Sequence, residues 1–398
     1  MCEWKTLRLG DIVSLVIDHR GKTPKKLGGD WSESGYRALS AKTVKTRQIV
    51  NADSIRFVGE EMYRRWMKDE VRRGDILVTS EAPYGEILYW NSDEKIVLSQ
   101  RLFGLRINDE HDSAFVAHFM TSPFFRSEMD SRATGTTVFG LRQPELLDCK
   151  VHLPDLPTQK KIAAVLSALD DKIENNRRIC KTLEEMAQAI FKSWFVDFEP
   201  WGGVMPAGWR EGALGELALY GDGRISVKEI TPSTYFSTEN MISEKGGAVD
   251  ATSMPEDGFV PSATEGCVLV SNIRPYFKKI VRVNEAVVGR SADVLCFAPR
   301  QKELGYYLYR LLWDDAFFAY VMSGAKGTKM RRGDKAQIIA YPCVVPNGDW
   351  LSAFNVTIET IERLIISSRK EIILLASMRD ALLPKLMSGE IDVDKVEV

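Results

Sequence analysis

The feature that most constrains this chain is an internal repeat. Gly74-Asp-Ile-Leu-Val-Thr79 returns as Gly266-Cys-Val-Leu-Val-Ser271, Pro83-Tyr84 as Pro275-Tyr276, Gly135-Thr136 as Gly327-Thr328, and Pro154 as Pro346. Each pair is 192 residues apart. Nearer the start the spacing is 205, where Trp4, Leu9, Gly10, Asp11 and Ile12 match Trp209, Leu214, Gly215, Glu216 and Leu217. A chain of 398 residues has room for two such copies, each a domain of ordinary size.

Each copy opens with about 150 residues of mixed texture. Short β-rich runs such as Ile76–Thr79, Ile96–Leu98 and Val268–Val270 alternate with turn residues and amphipathic stretches, as in a mixed α/β domain. Each then closes with a segment of different character. From Thr158 to Phe195 there is neither Gly nor Pro, and Thr158 after Pro157 is placed to cap a helix. The apolar positions recur at steps of four and three: Ile162, Leu166, Leu169, Ile173, Asn176, Cys180, Leu183, Ala187, Ile190 and Trp194. Shifted by 192 the seam reads Phe354, Ile358, Ile361, Ile365, Ser368, Ile372, Leu375, Arg379, Leu382 and Leu386. Asn176 and Ser368 share one seam position, the arrangement expected if they face each other and fix the register of an antiparallel helix pair. The expected organisation is therefore a globular domain over 1–153, a long helix over 154–200, a second domain over 201–345 and a second long helix over 346–398. Its fold class is mixed α/β, two similar domains separated by two long helices that form an antiparallel, pseudo-twofold coiled coil.

No run of 18 apolar residues and no secretory h-region is present, so neither membrane insertion nor export is expected. The cysteines are scattered without a Cys-x-x-Cys pair, which suits a reducing cytoplasm. The histidines have no ligand spacing, so no metal site is expected, and no dinucleotide or Walker glycine motif occurs. Ala82-Pro-Tyr84 and Arg274-Pro-Tyr276 lack the amide or carboxylate of an amino-methyltransferase tetrad and read as turns. Asp75 with Asp93-Glu94-Lys95 loosely echoes a nuclease triplet, but the second copy has no counterpart.

Taken in order, Trp4 to Ile12, Gly74-Asp-Ile-Leu77, the loop Gly135-Thr-Thr137 and Leu153-Pro-x-x-Pro-Thr-Gln-Lys-Lys-Ile-Ala163 resemble the specificity subunit of type I restriction-modification systems along essentially the whole chain. The second copy departs where Pro346-Asn-Gly-Asp-Trp350 replaces the Pro-Thr-Gln entry to its helix. The resemblance implies a non-catalytic reader of double-stranded DNA. Each target-recognition domain would take one half of a bipartite asymmetric site, and the helix pair would set the gap. It also implies two modification subunits docked on the helical region and restriction subunits joining the complex. No cofactor would be held by this chain, while S-adenosylmethionine, ATP and Mg2+ would belong to the partners. The alternatives are a stand-alone DNA-modifying or nicking enzyme with an unrecognised site, and a coiled-coil scaffold that binds proteins without DNA.

The formal net charge is −2, unlike a uniformly basic nucleic-acid binder, so contacts to DNA must come from local clusters. Arg20, Lys22, Lys25 and Lys26 lie in a Gly- and Pro-containing loop. Residues 37–47, with Lys42, Lys45 and Arg47, contain no acid. The stretch with Lys326, Lys329, Arg331, Arg332 and Lys335 is the densest in positive charge, and aligns with the segment holding Thr136, Thr137 and Arg142. Arg274, Lys278 and Lys279 form a weaker cluster. The aromatic run Phe191, Trp194, Phe195, Phe198 and Trp201 needs a cover, either its own domain or a docked modification subunit.

Overall fold

The computed structural model describes residues 4–135, 139–328 and 330–395. The chain forms two compact units, Met1–Asn176 together with Lys370–Val398, and Arg177–Arg369. Each long helix therefore contributes to both units: the first half of one and the second half of the other belong to the first unit.

In the first unit, strands Val13–Asp18, Leu102–Ile107, Ile76–Thr79 and Ile87–Tyr89 form an antiparallel sheet in that order. Successive side chains of a strand point to opposite faces, and here both faces are buried. Ile76, Val78, Phe103 and Leu105 enter one core with helices Ser113–Met120 and Pro123–Arg132, while Leu77 and Leu102 enter a second core with Trp66 and Leu98. The second core is roofed by strands Arg56–Val58, Tyr36–Leu39 and Ile96–Leu98, the last two parallel. The second unit repeats this plan. Ala218–Tyr220, Val294–Pro299, Val268–Ser271 and Ile280–Arg282 form the four-stranded sheet, and Tyr235–Phe236 runs parallel to Val287–Arg290.

One ribbon in each unit ties the two repeat spacings together. Lys5 pairs with Leu153 in the first unit and Arg210 with Val345 in the second. The leading strands are 205 apart and the trailing strands 192 apart, so the residues missing from the second copy lie between them.

The first long helix spans Leu156–Phe195 and the second Asp349–Met387, each rising about 60 Å at ~1.5 Å per residue. The expected cap at Thr158 is corrected by the structure. Asp155 Oδ1 accepts the Thr158 N–H at 2.9 Å, and Pro157 sits in the first turn, where its missing N–H costs no helical bond. The second copy enters its helix at Asp349 without the Pro-Thr-Gln sequence.

Within each unit the two helices run antiparallel. In the first, Asp170 meets Arg379 at 2.7 Å and Asn176 meets Glu371 at 2.8 Å. In the second, the rings of Phe195 and Phe354 lie 4.9 Å apart, and Cys180 Sγ approaches the carbonyl of Ile365 at 3.8 Å. As numbering rises on one helix it falls on the other. The partner of Asn176 is thus Glu371 and not Ser368, which corrects the expected polar pair.

The seam also drifts. Ile162, Leu166, Ile173, Asn176, Cys180 and Ala187 are buried as the heptad pattern requires, with Leu169 half-buried. Beyond Cys180 the buried positions are Glu184, Ala187, Phe191 and Phe195, while Leu183, Ile190 and Trp194 move to the flank. A straight helix of 3.6 residues per turn slips against a 3.5 repeat in this direction. On the second helix Phe354, Ile358, Ile361 and Ile365 are buried, whereas Ser368, Ile372, Leu375, Arg379 and Leu382 are half-buried.

Candidate nucleic-acid interface

In both units a loop following a helix, Pro123–Arg132 in the first and Asp315–Ser323 in the second, is pinned onto the end of a central strand. In the first, Thr134 and Gly140 exchange backbone hydrogen bonds at 3.0 and 2.9 Å, and Glu81 bridges Gly140. In the second, Lys326 and Arg332 exchange bonds at 2.9 Å each, and Ile273 bridges Arg332. These positions correspond by the 192-residue spacing. The segment carrying Gly135 and the segment carrying Gly327 are accordingly one structural device used twice.

The second-unit loop gathers several of the expected cations. The Arg274 N–H donates to the Arg331 carbonyl at 2.8 Å, so the weaker cluster and the dense one converge. Arg331 and Arg274 are exposed. Arg332 faces Asp293 at 3.0 Å and Lys326 faces Asp334 at 2.6 Å, yet both cations stay largely open to solvent. Lys335 is exposed and lies over the ring of Tyr220. Lys329 lies outside the described residues, as do Thr136 and Thr137.

Other expected contacts are engaged elsewhere. Arg47 is mostly buried, with Nε 3.3 Å from Asp170 on the first long helix, so it clamps domain to helix. Lys45 is tied to Glu86 at 2.9 Å and Lys279 donates to the Thr238 carbonyl at 2.6 Å. Lys278 lies between Glu244 and Asp315. Lys22 donates to the Trp66 carbonyl at 3.0 Å and Lys26 to that of Gly21 at 2.8 Å. Lys25 and Lys42 are exposed. Arg20 stacks over Phe103, held by Asp18 at 2.7 Å, and reaches a cleft of about 560 Å³. Arg142 lies in the same cleft with Ser80, Glu81, Gln100 and Arg101, residues that charge clustering along the sequence does not pick out.

The aromatic run packs on its own unit. Phe195 stacks on Trp209 at 5.1 Å, and Phe191 meets Tyr307 at 5.4 Å. Both phenylalanines are buried, which removes them as docking residues. Trp194, Phe198 and Trp201 are half-buried.

No catalytic constellation emerges from the groups that hinted at one. Asp75 is buried against Arg106 at 2.8 Å, Asp93 pairs with Arg73, Glu94 with Arg37 and Lys95 with Glu70. Among the described residues no group of three or more His, Cys, Asp or Glu side chains is placed to hold a metal ion. No helix among them is long and apolar enough to cross a membrane.

The chain is thus two copies of one mixed α/β domain, each with a pinned loop and a share in a long helix pair. Residues 1–185 match the family model described as the type I restriction modification DNA specificity domain. The specificity subunit of the type I restriction enzyme MjaIX from Methanocaldococcus jannaschii is 25% identical over 354 residues, which cover 81% of this chain and 79% of that protein. The HindI specificity subunit of Haemophilus influenzae is 34% identical over 150 residues, 33% of this chain and 30% of that one. The fold is shared with the solved type I restriction-modification S subunit from M. genitalium, with a TM-score of 0.60 at 16% identity over 97% of this chain and 96% of that one. The matched domain covers the first copy, and the likeness to a type I specificity subunit extends over 81% of this chain.

Proposed function

We propose that this chain recognises double-stranded DNA for a type I restriction-modification complex, each unit reading one half of a bipartite asymmetric site. The observation that carries this reading is the loop device built twice on one plan but with different side chains. A shared scaffold gives both copies the same way of approaching a duplex, and different side chains give them different half-sites. The paired helices act as the spacer that sets the gap, a role supported by their length and by the antiparallel contacts inside each unit.

The partners are two modification subunits, docked on the helical region, and restriction subunits that complete the nuclease. Support for docking comes from apolar side chains left open on the second long helix, Leu374 and Met378 in the first unit and Val356 and Leu364 in the second. S-adenosylmethionine, ATP and Mg2+ belong to those partners, and the complex works in the cytoplasm. A stand-alone modifying or nicking enzyme is not favoured, because the acids of the nuclease-like pattern are bound in ion pairs with arginine or lysine.

Footprinting of the assembled complex tests the proposal. Two protected patches about one duplex turn apart are expected. One continuous patch, or none on any duplex from the host genome, would count against it.

A further inference from the structure

The pinned loop and the strand end beneath it carry opposite charge patterns in the two units. The N–H of Ser80 donates to the Arg101 carbonyl at 2.8 Å, and that of Asn272 donates to the Asp293 carbonyl at 2.9 Å, so Arg101 and Asp293 hold one structural position. Arg142 corresponds in the same way to Asp334, and each precedes a short helix, Gln143–Leu147 or Lys335–Ile339. In the second unit both platform acids bind cations of the loop, Asp293 taking Arg332 and Asp334 taking Lys326. In the first unit the platform itself is cationic, and the loop from Gly135 to Phe139 has no charged residue.

We infer that the first unit reads base edges through its platform cleft, with Gln100, Arg101 and Arg142 as the reading residues, whereas the second unit presents its cations on its loop. The inference rests on the DNA-reader assignment proposed above. Arg101 is exposed and adopts φ +66°, a left-handed backbone that costs an arginine energy and is retained where the side chain must be aimed. Its Nε lies 2.7 Å from Glu81 Oε1, which orients the guanidinium while leaving about half of it open to the cleft. Gln100 beside it is exposed, and Arg142 lines the same cleft. Arginine reads guanine O6 and N7 with two parallel donors, and glutamine reads adenine N6 and N7. Glu81 adds an acceptor suited to the cytosine amino group.

The test is selection from a randomised duplex pool by the complex assembled on the full chain, comparing the native protein with Arg101→Gln, Arg101→Lys and Arg142→Ala. The expected result is a consensus changed in one half-site only, with the native site bound roughly 10- to 100-fold more weakly by Arg101→Gln. Arg101→Lys should also lose discrimination, because an ammonium keeps the charge without the two-donor geometry. If the consensus is unchanged in all three variants, or if binding falls equally on every sequence and lysine restores it, the cleft is not a base reader. Where Arg101→Gln lowers the melting temperature, Arg142→Ala carries the same prediction from a position without the left-handed backbone. If the native complex selects no two-part consensus, the DNA-reader assignment fails instead, an outcome distinct from failure of the cleft alone.

Discussion

Arg310 and His118 hold the same place in the repeat, 192 residues apart, and each faces the helix-borne acid at the equivalent position, Glu362 or Asp170. The polarity around them is reversed. In the second unit a fully buried arginine of the domain is gripped by Glu184 at 2.6 Å and by Glu362, one from each long helix. In the first unit the acid is central: Asp170 receives Arg379 of the other helix at 2.7 Å and Arg47 of the domain at 3.3 Å. Each cluster fastens a domain to its own stretch of helix pair.

Removing one member of such a cluster strands the others. Arg310→Leu leaves the buried Glu362 without its ion-pair partner and Glu184 with Arg369 alone, and should destabilise the chain by about 3–5 kcal/mol. Replacing Arg310, Glu184 and Glu362 together by leucine or methionine should recover most of that deficit, since a buried ion cluster is often no more stabilising than apolar packing of similar volume. Urea unfolding monitored by circular dichroism measures both. A single variant as stable as the native chain would show that the cluster does not hold the unit together.

His118 makes the first unit sensitive to acid. Burial pushes its pKa down to about 4, with the positive charges of Arg47 and Arg379 adding to the effect and Asp170 opposing it. Between about pH 4 and the unfolded value near 6.5 the unfolded chain binds a proton that the native chain refuses. Stability therefore rises with pH across that window and falls as pH drops through it, by ~3 kcal/mol over the whole range. Glu362, whose pKa burial raises, works in the opposite direction. Melting temperatures at pH 7 and pH 5 should differ more for the native chain than for His118→Gln, and equal differences would exclude this histidine as the source.

The aromatic end of the first long helix should behave as core. Phe195→Ala opens a cavity among Trp209, Tyr307 and Phe354 and should cost about 3–5 kcal/mol. If the variant keeps full stability and is defective only in partner binding, the docking assignment that the structure removes would have to be restored.

The reach of sequence reading is clearest in the residues that form these sites. The fixed spacing of 192 identifies the two helices and the paired loops, because a repeat constrains position whatever the side chains do. The helix seam is legible up to Cys180 and then slips by one residue, since a 3.5-residue pattern cannot follow a straight helix of 3.6. Arg47 reads as surface charge because its partner Asp170 is distant in sequence. Arg101 and Gln100 escape notice for the converse reason: they join Arg20 and Arg142 only when separate loops meet at one strand end.

The second-unit loop should supply phosphate contacts. Replacing Arg331 and Arg332 together by alanine is expected to weaken DNA binding and to lower the slope of log K against log salt by about 0.9 for each phosphate no longer neutralised. Arg331 should account for the larger share, because Arg332 is partly neutralised by Asp293. Titration across a salt series reads the slope directly, and an unchanged slope would remove this loop from the interface.

The most direct measurement is a genome-wide methylation map of cells with and without this gene in the presence of its modification partner. Two different short sequences separated by a constant unspecified gap, both methylated only when the gene is present, are what a double reader on a helical spacer predicts. A single unbroken motif, a variable gap, or methylation that persists without the gene would contradict it.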